Sequence, residues 1–328
     1  MSGQSVDGLS DLMPPKSATA ESLWDDAGVD ALLARLPLRA KPLISTLYGD
    51  SILPLGGGAW LSSVIALMEP MGLSERVVRT AVFRLRRDGW LNAERRGRRS
   101  FYTLTAEAQR HFRAAEARIY AGPQDTWDGI WSIAVLTGAG DDEKRGALHR
   151  RLIDSGYGAL GAGTYAMPLR DADPLPGLLR ETGMQQHVLG LRAEAQDGAL
   201  PDSIGALVAQ VWPLDDLATR YGDFVDTFMP IHETIAGAVA AGEADDPCTC
   251  FVLRTLLIDA YRRILLKDPG LPRAVLPADW PGLAAAQLTG KLYRLIAVPA
   301  QDYVKDVLSA DGLRSRALRS DFHRRFAA

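Results

Sequence analysis

Apolar positions recur at helical spacing from residue 22 to about 90 before changing to strand spacing, whereas residues 1 to about 20 are Ser/Gly/Ala/Pro-rich and expected to be disordered. Residues 22–40 suit a short amphipathic helix (LWDDAGVDALLARL) stopped by Pro37. Residues 42–49 (PLISTLYG) read as a helix start followed by a Pro/Gly-rich break, ILPLGGGA. Residues 60–68 predict a second helix ended by Pro70 and Gly72. Ser74 fits the N-cap of a third, residues 75–87, with Val78, Val82 and Leu85 on its buried face. Gly89 ends it. The period then drops to two: residues 91–95, a turn at Arg96-Gly97-Arg98 and a return over 100–104 make a β-hairpin. Thr105 caps a further helix to about Tyr120.

Beyond a short linker the pattern alternates. Residues 127–136 predict a strand, 141–155 a charged helix and 157–168 a strand or bent hairpin with glycine kinks. Residues 175–183 predict a short helix and 187–195 another strand. That order, β-α-β(β)-α-β, fits a small ferredoxin-like module. From about Ser203 strand signals cease, and helices are expected over 203–212, 215–241, 248–267, 283–296 and 300–309. Asp246-Pro247 opens the third of these as N-cap and first-turn proline, and Leu253, Leu256, Leu257, Ala260 and Ile264 form its apolar stripe.

The predicted class is α+β, mainly helical. A flexible N-terminal extension (1–40) leads into a winged helix-turn-helix (41–120). A ferredoxin-like α/β domain (127–196) and an all-helical domain for effector binding and dimerisation (203–328) follow.

Composition narrows the class. With 328 residues, 47% hydrophobic and 23% charged, two or three ordinary globular domains are expected. No run approaches the ~18 apolar residues of a membrane span. The N-terminus lacks a basic region followed by an apolar core, so no secretory signal is read there. Two cysteines, Cys248 and Cys250, make no disulfide framework, and a cytoplasmic location is expected.

The charge distribution is more telling. Net charge is −3, yet residues 74–99 hold nine arginines against Glu75, Asp88 and Glu94, so this window is +6 in a chain otherwise −9. A hairpin tip of four arginines around one glycine is self-repelling unless phosphates neutralise it. Helix, helix, helix and basic hairpin is the layout of a winged helix that places its recognition helix in the major groove of double-stranded DNA.

On that reading Ser74, Glu75, Arg76, Arg79, Thr80 and Arg84 are the DNA-facing residues of the helix. Arg76 and Arg79 lie in the part that reaches guanine edges. Glu75 either accepts from cytosine or is simply favourable at a helix N-terminus. Arg84, Arg86 and Arg87 meet phosphate or solvent. Arg95, Arg96, Arg98 and Arg99 contact phosphate or minor groove, giving affinity more than sequence choice. Lys41 and Ser62 are either added backbone contacts or ordinary surface residues.

Other motifs carry less. The Cys-Thr-Cys at 248–250, near Asp245 and Asp246, and His232 beside Glu233 lack the paired spacing of a zinc site, so no metal is expected. Gly56-Gly57-Gly58 has no following Gly-Lys-Ser/Thr, and Gly161-Ala162-Gly163 opens no helix. The arginines at 314, 316, 319, 324 and 325 read as a solvated helix end or tail.

Five segments together resemble the phenylacetic acid degradation repressor family, PaaX. They are LYGDSILPLGGGAWL (47–61), GLSERVVRTAVFRLRRDGWL (72–91), GRRSFYTLT (97–105), WDGIWSIAVL (127–136) and YRRILLKDPGLPRAVLPADWPG (261–282). They occur in the family's order, and the last is the most particular. The resemblance implies a dimeric repressor that binds imperfect palindromes over promoters. It also implies a middle domain similar to small nucleases of CRISPR adaptation, and release by phenylacetyl-CoA or a related aryl-acyl-CoA.

Such an effector needs cations for its phosphates and an apolar slot for its acyl group. Arg254, Tyr261, Arg262, Arg263 and Lys267 are the candidate cationic region, with Trp212, Tyr221, Phe224, Phe228 and Trp280 as candidate slot. No cofactor is expected. The rival reading is a metal-dependent nuclease built on the ferredoxin-like module. Its first strand holds no carboxylate, Asp128 lying before it, so an enzyme is not expected.

Overall fold

Each helix of the N-terminal third buries the face its periodicity marks. The computed structural model describes residues 26–121, 127–138, 141–169, 173–194, 201–243, 246–313 and 317–326. The short helix expected inside the extension is α1 (Asp26–Arg35), and it is not loose: Leu32 is buried in the main core. Residues 1–25, the rest of the extension, lie outside the described residues.

After α2 (Ala40–Thr46) the helix does not end at Gly49. It continues through a π-helical stretch, Leu47–Ile52, and a 3₁₀ turn, Leu53–Leu55. All six residues of the π stretch are buried, and Pro54 sits at the start of the 3₁₀ turn, where a missing N–H costs little. Then come β1 (Gly58–Trp60), α3 (Leu61–Met68), α4 (Glu75–Arg87), β2 (Leu91–Arg96), β3 (Arg99–Leu104) and α5 (Ala106–Ile119). The strands form an antiparallel sheet in the order β1-β3-β2, with Trp60 opposite Phe101 and Arg96 opposite Arg99. Helix α4 buries Val78, Ala81, Val82 and Leu85. Thr105 caps α5 by accepting the Ala108 N–H at 3.1 Å.

The middle segment runs β4 (Ile130–Leu136), α6 (Asp142–Asp154), β5 (Gly158–Gly161), β6 (Thr164–Pro168), α7 (Leu175–Thr182) and β7 (Val188–Glu194). Its antiparallel sheet has the order β5-β6-β4-β7, and the ambiguous stretch at 157–168 is a hairpin. Both helices cover one face, where Ala134 and Tyr165 meet Leu148, Leu152, Leu175 and Leu178. On the other face Trp131 and Ala166 pack against Val208, Trp212, Leu271 and Val275.

The remainder is helical: α8 (Pro201–Val211), α9 (Leu214–Ala240), α10 (Pro247–Leu265) and α11 (Pro281–Ala310). Asp246 caps α10 by accepting the Thr249 N–H at 2.7 Å. The two helices expected over 283–296 and 300–309 are one, α11, with Pro299 inside it. Proline removes one helical donor, but Ile296, Ala297, Ala300 and Val304 are buried on either side, and their packing holds the two halves together. No helix among the described residues is long and apolar enough to cross a membrane.

A single core joins the two ends of the chain. Leu43, Ile44, Val78 and Leu85 belong to the same buried cluster as Leu257, Leu292, Ile296 and Phe322, whereas the middle sheet has its own. At its centre lies one carboxylate. Asp50 Oδ1 accepts from Tyr120 Oη at 2.6 Å and Tyr293 Oη at 3.1 Å, with Arg325 Nη1 at 3.2 Å. Arg254 Nε is 3.0 Å from Asp50 Oδ2, and Ser51 Oγ donates to the same oxygen at 3.1 Å. Burial by itself pushes this carboxyl up, but the Arg254 and Arg325 guanidiniums and the two tyrosine hydroxyls hold it below the usual carboxylate range. The π-helical turn brings Asp50 and Ser51 inward together.

Candidate nucleic-acid interface

Helix α4 presents a wide cationic surface because its apolar residues occupy only one stripe. Ser74 has the extended backbone of an N-cap, but its hydroxyl makes no capping bond and is exposed. Glu75, Arg76, Arg79, Thr80, Arg84, Arg86 and Arg87 are all exposed. Glu75 pairs with Arg79 one turn on, at 2.6 Å. An exposed pair of this kind is worth a few tenths of a kcal/mol, about 0.3–0.5, so a base or phosphate displaces it readily. Thr80 donates its hydroxyl to Arg76 O at 2.8 Å, which turns its methyl and lone pairs outward. Arg76, Arg84 and Arg86 make no ion pair among the described residues.

Phe83 was not a sequence candidate, yet its side chain lies bare on this helix, 60% exposed. Helical geometry places it with Arg76, Thr80, Arg84 and Arg87 on one face. The available signal was its offset from the stripe of Val78, Val82 and Leu85. An exposed phenyl amid arginines suits the methyl group of thymine.

The hairpin carries the second set. Gly97 takes φ of +64° while Arg98 stays in the ordinary region, the pattern of a tight two-residue loop with glycine first. Arg96 pairs with Glu94 at 2.8 Å and lies over the Phe101 ring, 4.8 Å from its centroid. Hydrogen bonding from Arg96 is what holds the Glu94 carboxyl below its usual value. Arg95 donates to Gly97 O at 3.2 Å, and Arg98, at the tip, makes no ion pair among the described residues.

Arg99 is held at the hairpin root by partners from elsewhere in the chain, with its side chain 44% exposed. It pairs with Asp311 Oδ1 at 2.6 Å, donates to Asp311 O at 3.0 Å and to Ser62 Oγ at 3.2 Å, and stacks over Trp60 at 4.3 Å. Ser62 donates to Asp311 Oδ2 at 2.7 Å, and Ser63 donates to that oxygen too. Arg99 and Ser62 therefore form a clasp between the hairpin root, α3 and the end of α11. Burial raises the Asp311 carboxyl, but these donors more than offset it and leave it lowered. Lys41, similarly, is tied to Asp88 at 2.6 Å.

Asp311→Ala removes three side-chain donors' acceptor at once and is expected to cost about 1–2 kcal/mol, read as a shift in the urea midpoint. Arg99→Ala is expected to lower stability without changing the salt dependence of DNA binding, measured by anisotropy across a salt series.

The candidate effector group is not brought together. Arg254 is corrected outright: it is fully buried, donating to Ala297 O (2.9 Å), Ser51 Oγ (2.8 Å) and Gln301 Oε1 (2.8 Å) beside Asp50, so no ligand phosphate reaches it. Tyr261 is buried against Phe224, with centroids 5.7 Å apart, which leaves it no ligand-facing surface. Lys267 is exposed.

Arg262 and Arg263 diverge around α10. Arg262 donates to Thr46 Oγ1 at 2.7 Å and Pro42 O at 2.9 Å and lines a cavity of about 360 Å³ behind α4. Arg263 pairs with Asp259, donates to Pro37 O at 3.0 Å, and borders a cleft of about 500 Å³ with Phe224 and Phe228. Trp212, Tyr221 and Trp280 do not line either space.

In the middle segment Asp173 accepts from Ser132 Oγ of the first strand at 3.1 Å and from Tyr157 Oη at 3.3 Å. Asp128 accepts the Ile130 N–H. Among the described residues no three His, Cys, Asp or Glu side chains gather as a metal site.

Known proteins match the chain at both ends. The family described as PaaX-like protein matches residues 39–108, and the PaaX-like protein C-terminal domain matches residues 212–306. Transcriptional repressor PaaX of Escherichia coli (strain K12) is 36% identical over 283 residues, covering 86% of this chain and 88% of that protein. A solved structure, the uncharacterized protein Rv0674 from Mycobacterium tuberculosis, aligns with a TM-score of 0.51 at 24% identity, over 80% of this chain and 96% of its own. That likeness is one of fold.

Proposed function

We propose, from the premise that this chain belongs to the PaaX family, that it is a DNA-binding transcriptional repressor of a phenylacetate-type catabolic operon. It is a regulator rather than an enzyme, as its relative is. The observation that carries the reading is the exposed cationic face of α4, with Arg76, Arg84 and Arg86 free of ion pairs among the described residues, beside the arginine-tipped hairpin. The order α2, β1, α3, α4, β2, β3 supports a winged helix-turn-helix over 41–120, and the sheet order β5-β6-β4-β7 supports a ferredoxin-like unit over 127–196. The helices over 203–328 are the seat of effector binding and dimerisation on this reading.

Ser74, Glu75, Arg76, Arg79, Thr80 and Phe83 read the major groove, and Arg84, Arg95, Arg96 and Arg98 hold the adjacent backbone. A cytoplasmic homodimer spaces two such faces one DNA turn apart, about 34 Å. Phenylacetyl-CoA or a related acyl-CoA favours a different spacing, for which it must bind the released form more tightly.

The test is fluorescence anisotropy with the intergenic fragment beside the chain's own coding region and a shuffled fragment of equal length. Tighter binding to the first, steeply weakened by salt, is expected. Equal, weak binding to both at low salt would overturn the reading.

A further inference from the structure

The cavity behind α4 is built from every element that a ligand-responsive DNA reader has to connect. Leu85 comes from α4, Trp90 from the turn into the hairpin, Phe112 and Ala115 from α5, and Ile258 and Arg262 from α10. We propose that this cavity is the ligand site, taking the aromatic ring of an aryl-acyl compound, and that an occupied cavity repositions α4 and the hairpin as one unit. The inference rests on the ligand-responsive reading above and adds the place and the route.

Size and lining fit a ring. Apolar cavities of roughly 150 Å³ accept benzene, so about 360 Å³ leaves room for a ring and the chain that carries it. Trp90 meets Phe112 edge-on, with centroids 5.6 Å apart, and aromatic walls in that geometry favour a further ring. Gly49 keeps the opposite wall clear, since a Cβ there would lie 2.8 Å from the Phe112 ring.

The charges around the space are balanced in pairs. Two carboxylates line it, Asp50 and Glu116, and both are paired from the core side. Asp50 meets Arg254 and Arg325, and Glu116 meets Arg325 and Arg319. The cations on the same lining are Lys41, paired with Asp88, and Arg262, paired with Asp259 at 3.1 Å and only 18% exposed. The wider cleft at Arg263 is paired in the same way, but no residue of α4 borders it, so filling it would not reach the arginine-rich helix.

The route outward is short. Trp90 N–H bonds to Leu85 O at 2.9 Å, and Trp90 O accepts the Thr105 N–H at 3.1 Å, so this residue is fixed to the end of α4 and to the strand that closes the hairpin. Pressure on Leu85 and Trp90 therefore moves both DNA-facing elements together. On the far wall Arg262 holds Thr46 and Pro42 of α2.

The test uses the full chain with three probes, phenylacetyl-CoA, phenylacetate and CoA, measured by calorimetry and by anisotropy on the promoter fragment. Ala115→Phe fills the cavity. It is expected to weaken phenylacetyl-CoA binding at least about tenfold and to abolish its effect on the DNA complex, with ligand-free DNA affinity retained. A second variant keeps the question open to refutation if the first folds poorly: Ala115→Cys should be alkylated by a thiol reagent and protected by phenylacetyl-CoA or phenylacetate, localised by peptide mass spectrometry. Protection by CoA alone would overturn the aromatic assignment. If wild type binds phenylacetyl-CoA while Ala115→Phe binds it equally and the introduced thiol stays unprotected, the site is wrong and the effector reading stands. If wild type binds none of the probes, both fall.

Discussion

Asp50→Ala is expected to lower folding stability by about 3–5 kcal/mol, the largest loss from any single exchange proposed for this protein. The effect arises from what is left behind. Arg254 has no exposed surface, and Arg325 is nearly as enclosed, so removing the carboxylate strands the Arg254 guanidinium in the interior and leaves Arg325 with Glu116 as its remaining counter-charge. Tyr120 and Tyr293 lose their acceptor in the same step. Urea denaturation followed by circular dichroism reads the change as a fall in midpoint.

Acid supplies an independent check on the same group. Because the folded-state carboxyl is held below its ordinary value, its contribution is complete above the unfolded value, near 3.9 for an aspartate, and drains away as pH falls through the folded one. Wild type should therefore lose stability below about pH 4 in a component that Asp50→Ala lacks. A variant as stable as wild type at neutral pH would remove this network from any account of the fold.

Neutralising the free arginines gives the second large effect, on DNA. Arg84→Ala with Arg98→Ala is expected to flatten the logarithmic salt dependence of binding by about 0.9 per residue, and to weaken promoter and shuffled DNA alike. Arg76→Ala should behave differently, costing about 1–3 kcal/mol on the promoter fragment while leaving the shuffled fragment nearly unchanged, since it acts at a base edge. Arg99→Ala is the internal control: its charge faces Asp311, so its salt slope stays that of wild type. Anisotropy titrations at several salt concentrations separate the three. Equal slopes for wild type and the Arg84/Arg98 pair would place the DNA elsewhere.

How far the chain could be read in advance depended on where each residue's partner lies. Helix α4 was legible because its apolar stripe and its arginines are all local, and the hairpin because Gly97 and the alternation around it are consecutive. The pairing of Arg99 was hidden for the opposite reason: its partner Asp311 is 212 positions away, and nothing in the hairpin announces a carboxylate there.

Arg254 was mistaken for a surface cation because the neighbouring leucines define a stripe on one side of α10, whereas in the fold that helix is enclosed almost all round. A buried arginine in such a helix leaves no mark on the pattern until Asp50 is beside it. Pro299 misled in a third way. Proline is read as a boundary because it lacks a donor, and only tertiary packing on both sides shows that α11 passes straight through it.

The common core has a practical corollary for anyone who would cut this protein apart. A fragment ending after Tyr120 keeps the whole cationic surface of α4 and the hairpin but strips Leu43, Ile44 and Tyr120 of the neighbours contributed by α10, α11 and the tail around Phe326. Such a piece would aggregate or melt rather than behave as a portable reader. Chimaeras that graft its specificity onto another regulator would have to carry the terminal helices along. The two ends of the gene product are thus bound to be inherited and engineered as one object.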